Sequence, residues 1–376
     1  MSKINDLIKE LCPNGVRFYQ IKDIAKVTIG EFVHKNKQTA DGEYPVYNGG
    51  TSNTGFYDEY NNDGQKVIIS ARGANAGFIN RVRGKYWAGN SCYTININDE
   101  TLLDWNFLYQ YLKNNQKVLL GVQQTGSIPS ISKKQVEDFK IAVPPLKVQE
   151  EIVRILDKFG ELEAELEAEL EARKSQYEFW RGQMFKRKGN TKISDMFTRV
   201  KGTAITAGKM KEIEDTNGKI RIFAGGQTAV NANLEDIPKA NIIDYPCVIV
   251  QSRGLIDFVY YDKPFTFKNE MWAYSCDNKV TVKYLYYYLK NNVNYFREIG
   301  TQMGSMPQIS LPVTEKFEIY LPTLEEQKKV VDILDKFSKL VNSYTEGLPA
   351  EIELRRKQYE YYRNKLLSFE ELSNNE

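Results

Sequence analysis

The sequence predicts an α+β protein in which a sheet-containing domain and a long helix occur twice. Three observations predict this fold class. A segment near the middle of the chain recurs close to its end, short β-branched and aromatic runs alternate with turn residues in each half, and two later segments carry apolar residues at helical spacing. The chain is therefore one large unit repeated twice, unlike a solenoid of short repeats.

The repeat is clearest where the long helices are expected to start. PPLKVQEEIVRILDKF at 144–159 returns as PTLEEQKKVVDILDKF at 322–337, with nine of sixteen positions identical. Just upstream, GSIPSIS at 126–132 matches GSMPQIS at 304–310 at the same offset of 178 residues. Farther back, FLYQYLKNN, VIISARG and YNGG each have a counterpart in the second half, in the same order. Their offsets drift by a few residues, as expected where loops took insertions.

The first part of each copy, over 1–143 and 189–321, predicts a mixed domain built on a twisted sheet. The runs VIIS, CYTINI, VIVQS and FTF predict strands, and YNGG, NNDG and RGANAG predict the turns between them. A helix is expected at 104–117, with its twin at 281–296.

The second part of each copy, over 144–188 and 322–376, predicts a long helix that begins after prolines. Each helix carries an apolar stripe with a period of about 3.6 residues. The stripes are Ile152, Leu156, Phe159, Leu162, Leu166, Leu170 and Tyr177 in the first copy, and Val330, Ile333, Phe337, Leu340, Tyr344 and Leu348 in the second. We expect the two helices to pack on each other, antiparallel; packing of each helix on its own domain is the alternative. The second helix is expected to break near Pro349 and to resume from 351.

Charge is distributed unevenly along the chain. The 51 Lys and Arg against 49 Asp and Glu give a net charge of +2, which taken whole argues against a nucleic-acid binder. By region, 1–145 carries +3 and 189–322 carries +2, whereas 146–188 carries −1 and 323–376 carries −2. The basic excess thus lies on the sheet domains, although a difference of this size also arises by chance.

Several function classes are not supported. No run reaches the roughly 18 apolar residues of a membrane span, and the N-terminus lacks a signal-peptide core, so a cytoplasmic protein is expected. The sequence holds no phosphate-binding loop, no dinucleotide fingerprint and no [DN]-P-P-[YF] stretch. One histidine, His34, and four cysteines without a C-x-x-C pair exclude most zinc sites and paired-histidine centres. Enzyme activity is not expected, although a carboxylate-only site stays open.

The duplicated QEEIVRILDKF and QKKVVDILDKF, the GSIPSIS and GSMPQIS pair and the ending EGLPAEIELRRKQYEYYR resemble the specificity subunit of Type I restriction-modification enzymes. The resemblance covers essentially the whole chain. It implies two pseudo-symmetric target-recognition domains separated by two long antiparallel coiled-coil helices. Each domain would read one half of a bipartite site in double-stranded DNA, and the helices would set the gap and recruit partners.

The resemblance also implies a non-catalytic chain with no cofactor and no membrane contact. The expected partners are two modification (methyltransferase) subunits and restriction/translocase subunits, which would bring S-adenosylmethionine, ATP and Mg. Under the resemblance, Gln149, Gln176, Gln327 and Gln358 are candidates for docking the modification subunits. Three alternatives stay open: a protein-binding structural adaptor, a specificity subunit of a related methyltransferase/nuclease that cleaves beside its site, and a hidden enzyme.

Candidate DNA contacts combine basic residues with residues of turn-rich loops. They are Lys35, Lys37, Asn48, Gly49, Arg72, Arg81, Arg83, Lys85 and Ser127 in the first copy, and Lys209, Lys211, Lys219, Gln227, Arg253 and Ser305 in the second. Arg72 and Arg253 occupy equivalent places after a strand, where an arginine can fork onto guanine or clamp a phosphate; a structural ion pair is the alternative. The two serines could bind phosphate, and the lysines suit an electrostatic footprint. The group Arg81 to Lys85 could equally be a solvated hairpin tip.

The spacer length gives a rough gap. A helix of ~30 residues is about 45 Å long, which spans about 13 base pairs between domain centres. The first helix contains ELEA three times in succession, at 161–172. The loops of the two copies differ, as in NKQTADGEYP against KMKEIEDTNGKIR, so the site is expected to be asymmetric.

Overall fold

The computed structural model describes residues 2–121, 129–237, 240–301 and 306–372. The chain forms two compact units: unit 1 comprises Met1–Glu165 and Ile352–Glu376, and unit 2 comprises Leu166–Glu351. The sheet domains expected at 1–143 and 189–321 fall in unit 1 and unit 2, respectively, whereas each helical segment is divided between the units. The α+β class and the twofold repeat are confirmed.

The globular part of unit 1 is formed by short strands and helices. Its strands are β1 Arg17–Gln20, β2 Ala25–Ile29, β3 Tyr44–Tyr47, β4 Gly55–Tyr57, β5 Lys66–Ser70, β6 Ile79–Val82, β7 Trp87–Ala88, β8 Cys92–Ile97 and β9 Lys140–Val143, and its helices are α1 Ser2–Leu11, α2 Ile21–Ile24, α3 Trp105–Asn114, α4 Gln116–Gly121 and α5 Lys133–Glu137. The strands form an antiparallel sheet in the order β2-β8-β5-β6, a sheet β4-β3-β7 and a pair β1-β9. The buried strand β5 is the predicted VIIS run.

Helix α3 covers one face of the four-stranded sheet. Its N-cap Asp104 accepts a hydrogen bond from the Phe107 backbone N–H, and Phe107, Leu108 and Leu112 are fully buried. The helix expected at 104–117 is interrupted, because α3 ends at Asn114 and α4 begins at Gln116.

The first long helix, α6, spans Leu146–Met184 over 39 residues, or about 58 Å. Its N-terminal part packs on the core of unit 1, where Ile152 and Leu156 are fully buried. The boundary between the two units falls within α6, after Glu165.

Unit 2 repeats the sheets of unit 1. Its strands are β10 Thr191–Lys192, β11 Thr198–Lys201, β12 Ile220–Phe223, β13 Ala229–Ala232, β14 Cys247–Gln251, β15 Asp257–Tyr261, β16 Phe265–Phe267, β17 Trp272–Ser275 and β18 Glu318–Ile319, and its short helices are α7 Ile193–Met196, α8 Ala207–Glu212, α9 Lys279–Asn291, α10 Val293–Thr301 and α11 Leu311–Glu315. The orders β11-β17-β14-β15 and β13-β12-β16 match those of unit 1 strand for strand. The expected twin helix is likewise divided, between α9 and α10.

The second long helix is broken into α12, Leu324–Asn342, and α13, Leu348–Leu366. Thr323 and Glu326 form a capping box at the start of α12. The break lies at 343–347, earlier than the expected position near Pro349. Pro349 instead occupies the first turn of α13, where its missing N–H leaves no hydrogen bond unmade.

Helices pair within each unit. In unit 1, Phe159 of α6 stacks on Tyr362 at 5.6 Å between ring centroids, and four residues later Glu163 pairs with Arg356 at 2.5 Å. Because the partner numbers fall as those of α6 rise, α6 and α13 are antiparallel there. In unit 2, Tyr177 of α6 packs on Phe337 of α12 at 6.3 Å. The long helices therefore pack on each other, as expected. They also pack on the core of their own unit, which was the alternative.

The stripe predicted for the second long helix is wrong in part. Ile333, Leu340 and Tyr344 are 41%, 37% and 84% exposed, and Val331 and Leu334 are buried in their place. Helical spacings of three and four residues fit both the predicted and the observed set of apolar residues. The packing of α12 against α9 determines that the observed set is the buried one. Across the described ranges, no helix is long and apolar enough to cross a membrane.

Candidate nucleic-acid interface

Arg72 lies in the loop that leaves the buried strand β5, with its side chain exposed. Its backbone is bridged to Ser130. On either side, Ile131 N–H donates to Ala71 O at 3.0 Å, and Gly73 N–H donates to Pro129 O at 3.0 Å. Tyr93, whose pKa is raised by burial, donates its hydroxyl to Ile131 O at 3.1 Å. The second half of GSIPSIS therefore fixes the arginine loop, a role that the sequence pattern did not reveal.

Arg253 of unit 2 is held in the same way after β14, again with an exposed side chain. Its backbone is bridged to Gln308, Ile309 N–H donates to Ser252 O at 2.9 Å, and Gly254 N–H donates to Pro307 O at 2.9 Å. These partners belong to GSMPQIS, so the two repeated motifs have the same structural task.

The glycine-rich loop of each unit lies against the arginine loop. A Cβ on Gly49 would lie 2.5 Å from Arg72 O, so only glycine allows this approach. Ser70 Oγ also donates to Gly50 O at 2.7 Å. In unit 2, Gly226, with φ +68°, donates its N–H to Arg253 O at 3.1 Å, and Gln227 beside it is exposed. Asn48 is less available than expected, because its Oδ1 accepts from Ser91 N–H at 2.9 Å.

The structure distinguishes between the two interpretations of the arginines. Among the residues that the structure describes, neither Arg72 nor Arg253 forms an ion pair with a carboxylate. Each guanidinium is thus a free, exposed fork of hydrogen-bond donors at the end of a rigid strand, which suits guanine edges and phosphates.

A third loop, carrying Lys35 and Lys37, emerges at the same end of the sheet. Ile29 at the end of β2 is paired with Tyr93, and Ser70 at the end of β5 is paired with Cys92, so both strands end beside the start of β8. Both lysines are exposed and form a short 3-10 turn. We call this end of each four-stranded sheet, with its loops, the loop end of the unit.

The loop end of unit 2 contains a cavity of about 650 Å³ beside Arg253. It is lined by Ala207, Met210, Lys211, Glu214, Ala224, Gly225, Gly226, Thr228, Val230, Arg253, Gly254, Lys268, Glu270 and Met306. Of the predicted contacts, Lys211 and Arg253 belong to it. Lys268, which pairs with Glu270 at 2.8 Å, and Met306 were missed because they come from distant segments.

The cluster Arg81, Arg83 and Lys85 does not lie at the loop end. Strand β6 runs antiparallel to β5, with Val82 opposite Lys66, so the residues after it return to the other end of the sheet. Arg81 is half-buried, donates to Asn106 Oδ1 at 2.6 Å and pairs with Asp157 of α6 at 3.5 Å. Its role is to join the sheet domain to α6. Arg83 and Lys85 are exposed cations over the rings of Trp105 and Tyr60.

The remaining candidate DNA contacts do not form one cluster. Lys209 pairs with Glu212 at 2.7 Å. Lys219 precedes β12, whereas the glycine-rich loop follows that strand, so the two lie at opposite ends of it. Ser127 and Ser305 lie outside the described residues.

Comparison with known proteins identifies the family of this chain. The family model described as the type I restriction modification DNA specificity domain matches residues 13–172 and 187–354. A Haemophilus influenzae protein named as a type I restriction enzyme specificity subunit is 31% identical over 361 residues, covering 89% of this chain and 90% of that protein. The chain belongs to the type I restriction-modification DNA specificity family. It is accordingly a DNA sequence-recognition subunit, the non-catalytic component of its system.

Solved structures from type I restriction-modification systems share the fold. The type I S subunit from M. genitalium matches with a TM-score of 0.64 at 19% identity, covering 94% of this chain and 96% of that one. A chain from a study of complex assembly in the type I restriction-modification system matches with a TM-score of 0.62 at 12% identity, covering 94% and 98%.

The four glutamines considered for docking in this specificity subunit fall into two classes. Gln149 and Gln327 are buried at the starts of α6 and α12, where they hold backbone groups of their own unit, so their side chains are not exposed to a partner. Gln176 is exposed and Gln358 is half-buried. Beside these two lie exposed aromatic residues, with Phe179 57% exposed and Tyr361 60% exposed.

Proposed function

We propose that each unit reads one half of a bipartite, asymmetric site in double-stranded DNA through its loop end. The observation that carries the proposal is that the same constellation, an exposed arginine held between a glycine-rich loop and a Pro-Ser-Ile or Pro-Gln-Ile segment, occurs once in each unit. A doubled reading element is what a two-part site requires. The loops around the arginines differ, so the two half-sites differ.

Arg72 and Arg253 are the proposed base readers, because a guanidinium can donate two hydrogen bonds to guanine O6 and N7. Lys35 and Lys37 in unit 1 and Lys211 in unit 2 contribute sequence-independent attraction to phosphates. Arg81 is not part of this surface, since Asp157 already engages it.

We infer that the helices dock two modification subunits, one on each unit, and through them the restriction/translocase subunits. Phe179 and Trp180 on α6 are 57% and 45% exposed, and Tyr361 on α13 is 60% exposed. Phe179 and Tyr361 occupy equivalent positions after the QYE motif. Aromatic residues exposed on helix faces are characteristic of protein interfaces. S-adenosylmethionine, ATP and Mg belong to these partners in the proposal.

The test uses the chain co-purified with its modification subunits. Long-read mapping of methylated adenines in the host is expected to give two different half-sites at one fixed gap, and mass measurement is expected to give two modification subunits per chain. Binding to a duplex with the mapped site should weaken linearly in log K against log salt. A complex that assembles but shows no salt-dependent DNA binding would point to a protein-binding adaptor instead.

A further inference from the structure

An aromatic side chain projects from the loop end of unit 1. Phe32, three residues after β2, is 60% exposed. The base of its loop is fixed, since Glu31 N–H donates to Ala88 O at 2.8 Å, Glu31 O accepts from the Trp87 indole N–H at 2.9 Å, and Gly30 N–H donates to Cys92 O at 3.0 Å. A large apolar ring is therefore exposed next to backbone that three hydrogen bonds hold in place, rather than at the tip of an unanchored loop.

Phe32 lies on the surface that carries Arg72. Glu31 contacts Ala88, Gly89 N–H donates to Tyr47 O at 2.7 Å, and the adjoining Gly49 lies against the arginine loop. After Phe32, His34 packs edge-on against its ring at 4.7 Å, and two exposed cations, Lys35 and Lys37, follow. The polyanion that these cations attract would cover the ring.

We propose that Phe32 inserts between neighbouring base pairs at the first half-site and unstacks one step, while Lys35 and Lys37 hold the flanking phosphates. The proposal rests on the proposed function and adds a contact that distorts the DNA. A phenyl ring cannot read base edges by hydrogen bonds, but stacking on a base face buries it, and apolar wedges of this kind unstack base steps.

Unit 2 lacks this feature at the corresponding place. The residue three after β11 is Ala204, whose side chain is a single methyl group, and a cavity lies at this loop end instead. The wedge therefore belongs to one half-site, and the distortion should be confined to it.

The experiment uses the co-purified complex and duplexes of the mapped site, with 2-aminopurine placed at successive positions in and beside each half-site. The wild-type complex should raise the fluorescence at one step of the first half-site only. Phe32→Ala should abolish this rise and weaken binding about tenfold, with an unchanged salt slope because the ring carries no charge. Lys35→Ala with Lys37→Ala should keep the rise and lower the slope by about two.

Tyr60→Ala is the matched control, because Tyr60 is 44% exposed and contacts Lys85 away from the loop end. It should change neither fluorescence nor affinity. Equal binding by wild type and Phe32→Ala, with no rise at any step or the same rise in both, would overturn the wedge and leave the proposed function standing. Absence of any site-specific binding by the wild-type complex would overturn both.

Discussion

The joint between helix and globular part differs between the two units, although its sequence motif is the same. In unit 1, Gln149 Oε1 accepts from Asp104 N–H at 2.9 Å, and its Nε2 donates to Leu102 O at 2.8 Å and Pro144 O at 2.7 Å. In unit 2, Gln327 keeps only the bond to Pro322 O, at 2.8 Å, and its buried Oε1 has no partner among the described residues.

The cause is the start of the neighbouring helix. In the matched blocks FLYQYLKNN and YLYYYLKNN, α9 begins three residues earlier than α3, so the loop that Gln149 clamps is replaced by helix. Both copies of the repeat thus contain the glutamine, but in unit 2 its side chain lacks two of the three hydrogen bonds that it forms in unit 1.

The aspartate of the LDKF motif likewise occurs in both copies but binds different partners in the two units. Asp157 binds Arg81 at 3.5 Å and Gln110 at 3.3 Å, whereas Asp335 binds Lys283 at 2.8 Å and the Tyr287 hydroxyl at 2.5 Å. Burial and the hydrogen bond to Asp335 raise the pKa of Tyr287. The helix side of the joint is constant and the domain side varies, so each domain can change its reading surface without losing its attachment.

The strongest test of this contrast between a constant helix and variable domains changes the helix alone. Deleting Glu165–Ala168, one ELEA copy, removes four residues and about 6 Å of α6. The proposal predicts that methylation at the original gap is lost and that sites with a gap shorter by one or two base pairs replace it, with both half-sites unchanged. Methylation-site sequencing measures this directly.

The length-matched control is Glu165→Gln with Glu167→Gln, which keeps the helix length and should keep the original gap. An altered half-site with an unaltered gap after the deletion would sink the idea that this helix sets the spacing.

The second test separates the two loop ends. Arg72→Ala should reduce discrimination at the first half-site by about 10- to 100-fold and leave the second intact, and Arg253→Ala should do the reverse, because a bidentate arginine–guanine contact is worth about 1–3 kcal/mol. Competition binding with duplexes mutated in one half-site at a time measures this.

Arg83→Ala is the control, since that exposed arginine lies at the other end of the sheet, and it should change neither specificity. If Arg72→Ala instead weakens binding to all sequences equally and lowers the salt slope by about one, the arginine contacts phosphate rather than a base.

The structural features that depend on the repeated segments could be predicted from the sequence. VIISARG and VIVQSRG share strand order and arginine position because similar strings in similar order form the same backbone. The position of Arg81 could not be predicted, because a charge cluster contains no information on which end of a sheet an antiparallel strand returns to. The cavity was missed because its lining, from Ala207 to Met306, comes together only through tertiary packing.

The smallest expected effect concerns the two glutamines. Gln149→Leu leaves Asp104 N–H and the carbonyls of Leu102 and Pro144 without their partner, and each unpaired buried group costs about 1–3 kcal/mol, so unit 1 should lose at least about 2 kcal/mol of unfolding free energy. Gln327→Leu breaks one bond and removes an oxygen that was already unpaired, so unit 2 should change by less than about 1 kcal/mol. Hydrogen exchange of amides in α3 and α9, followed in urea, reports the two units separately. Equal losses for the two variants would mean that the joints are energetically alike and that the missing partner in unit 2 is replaced by water.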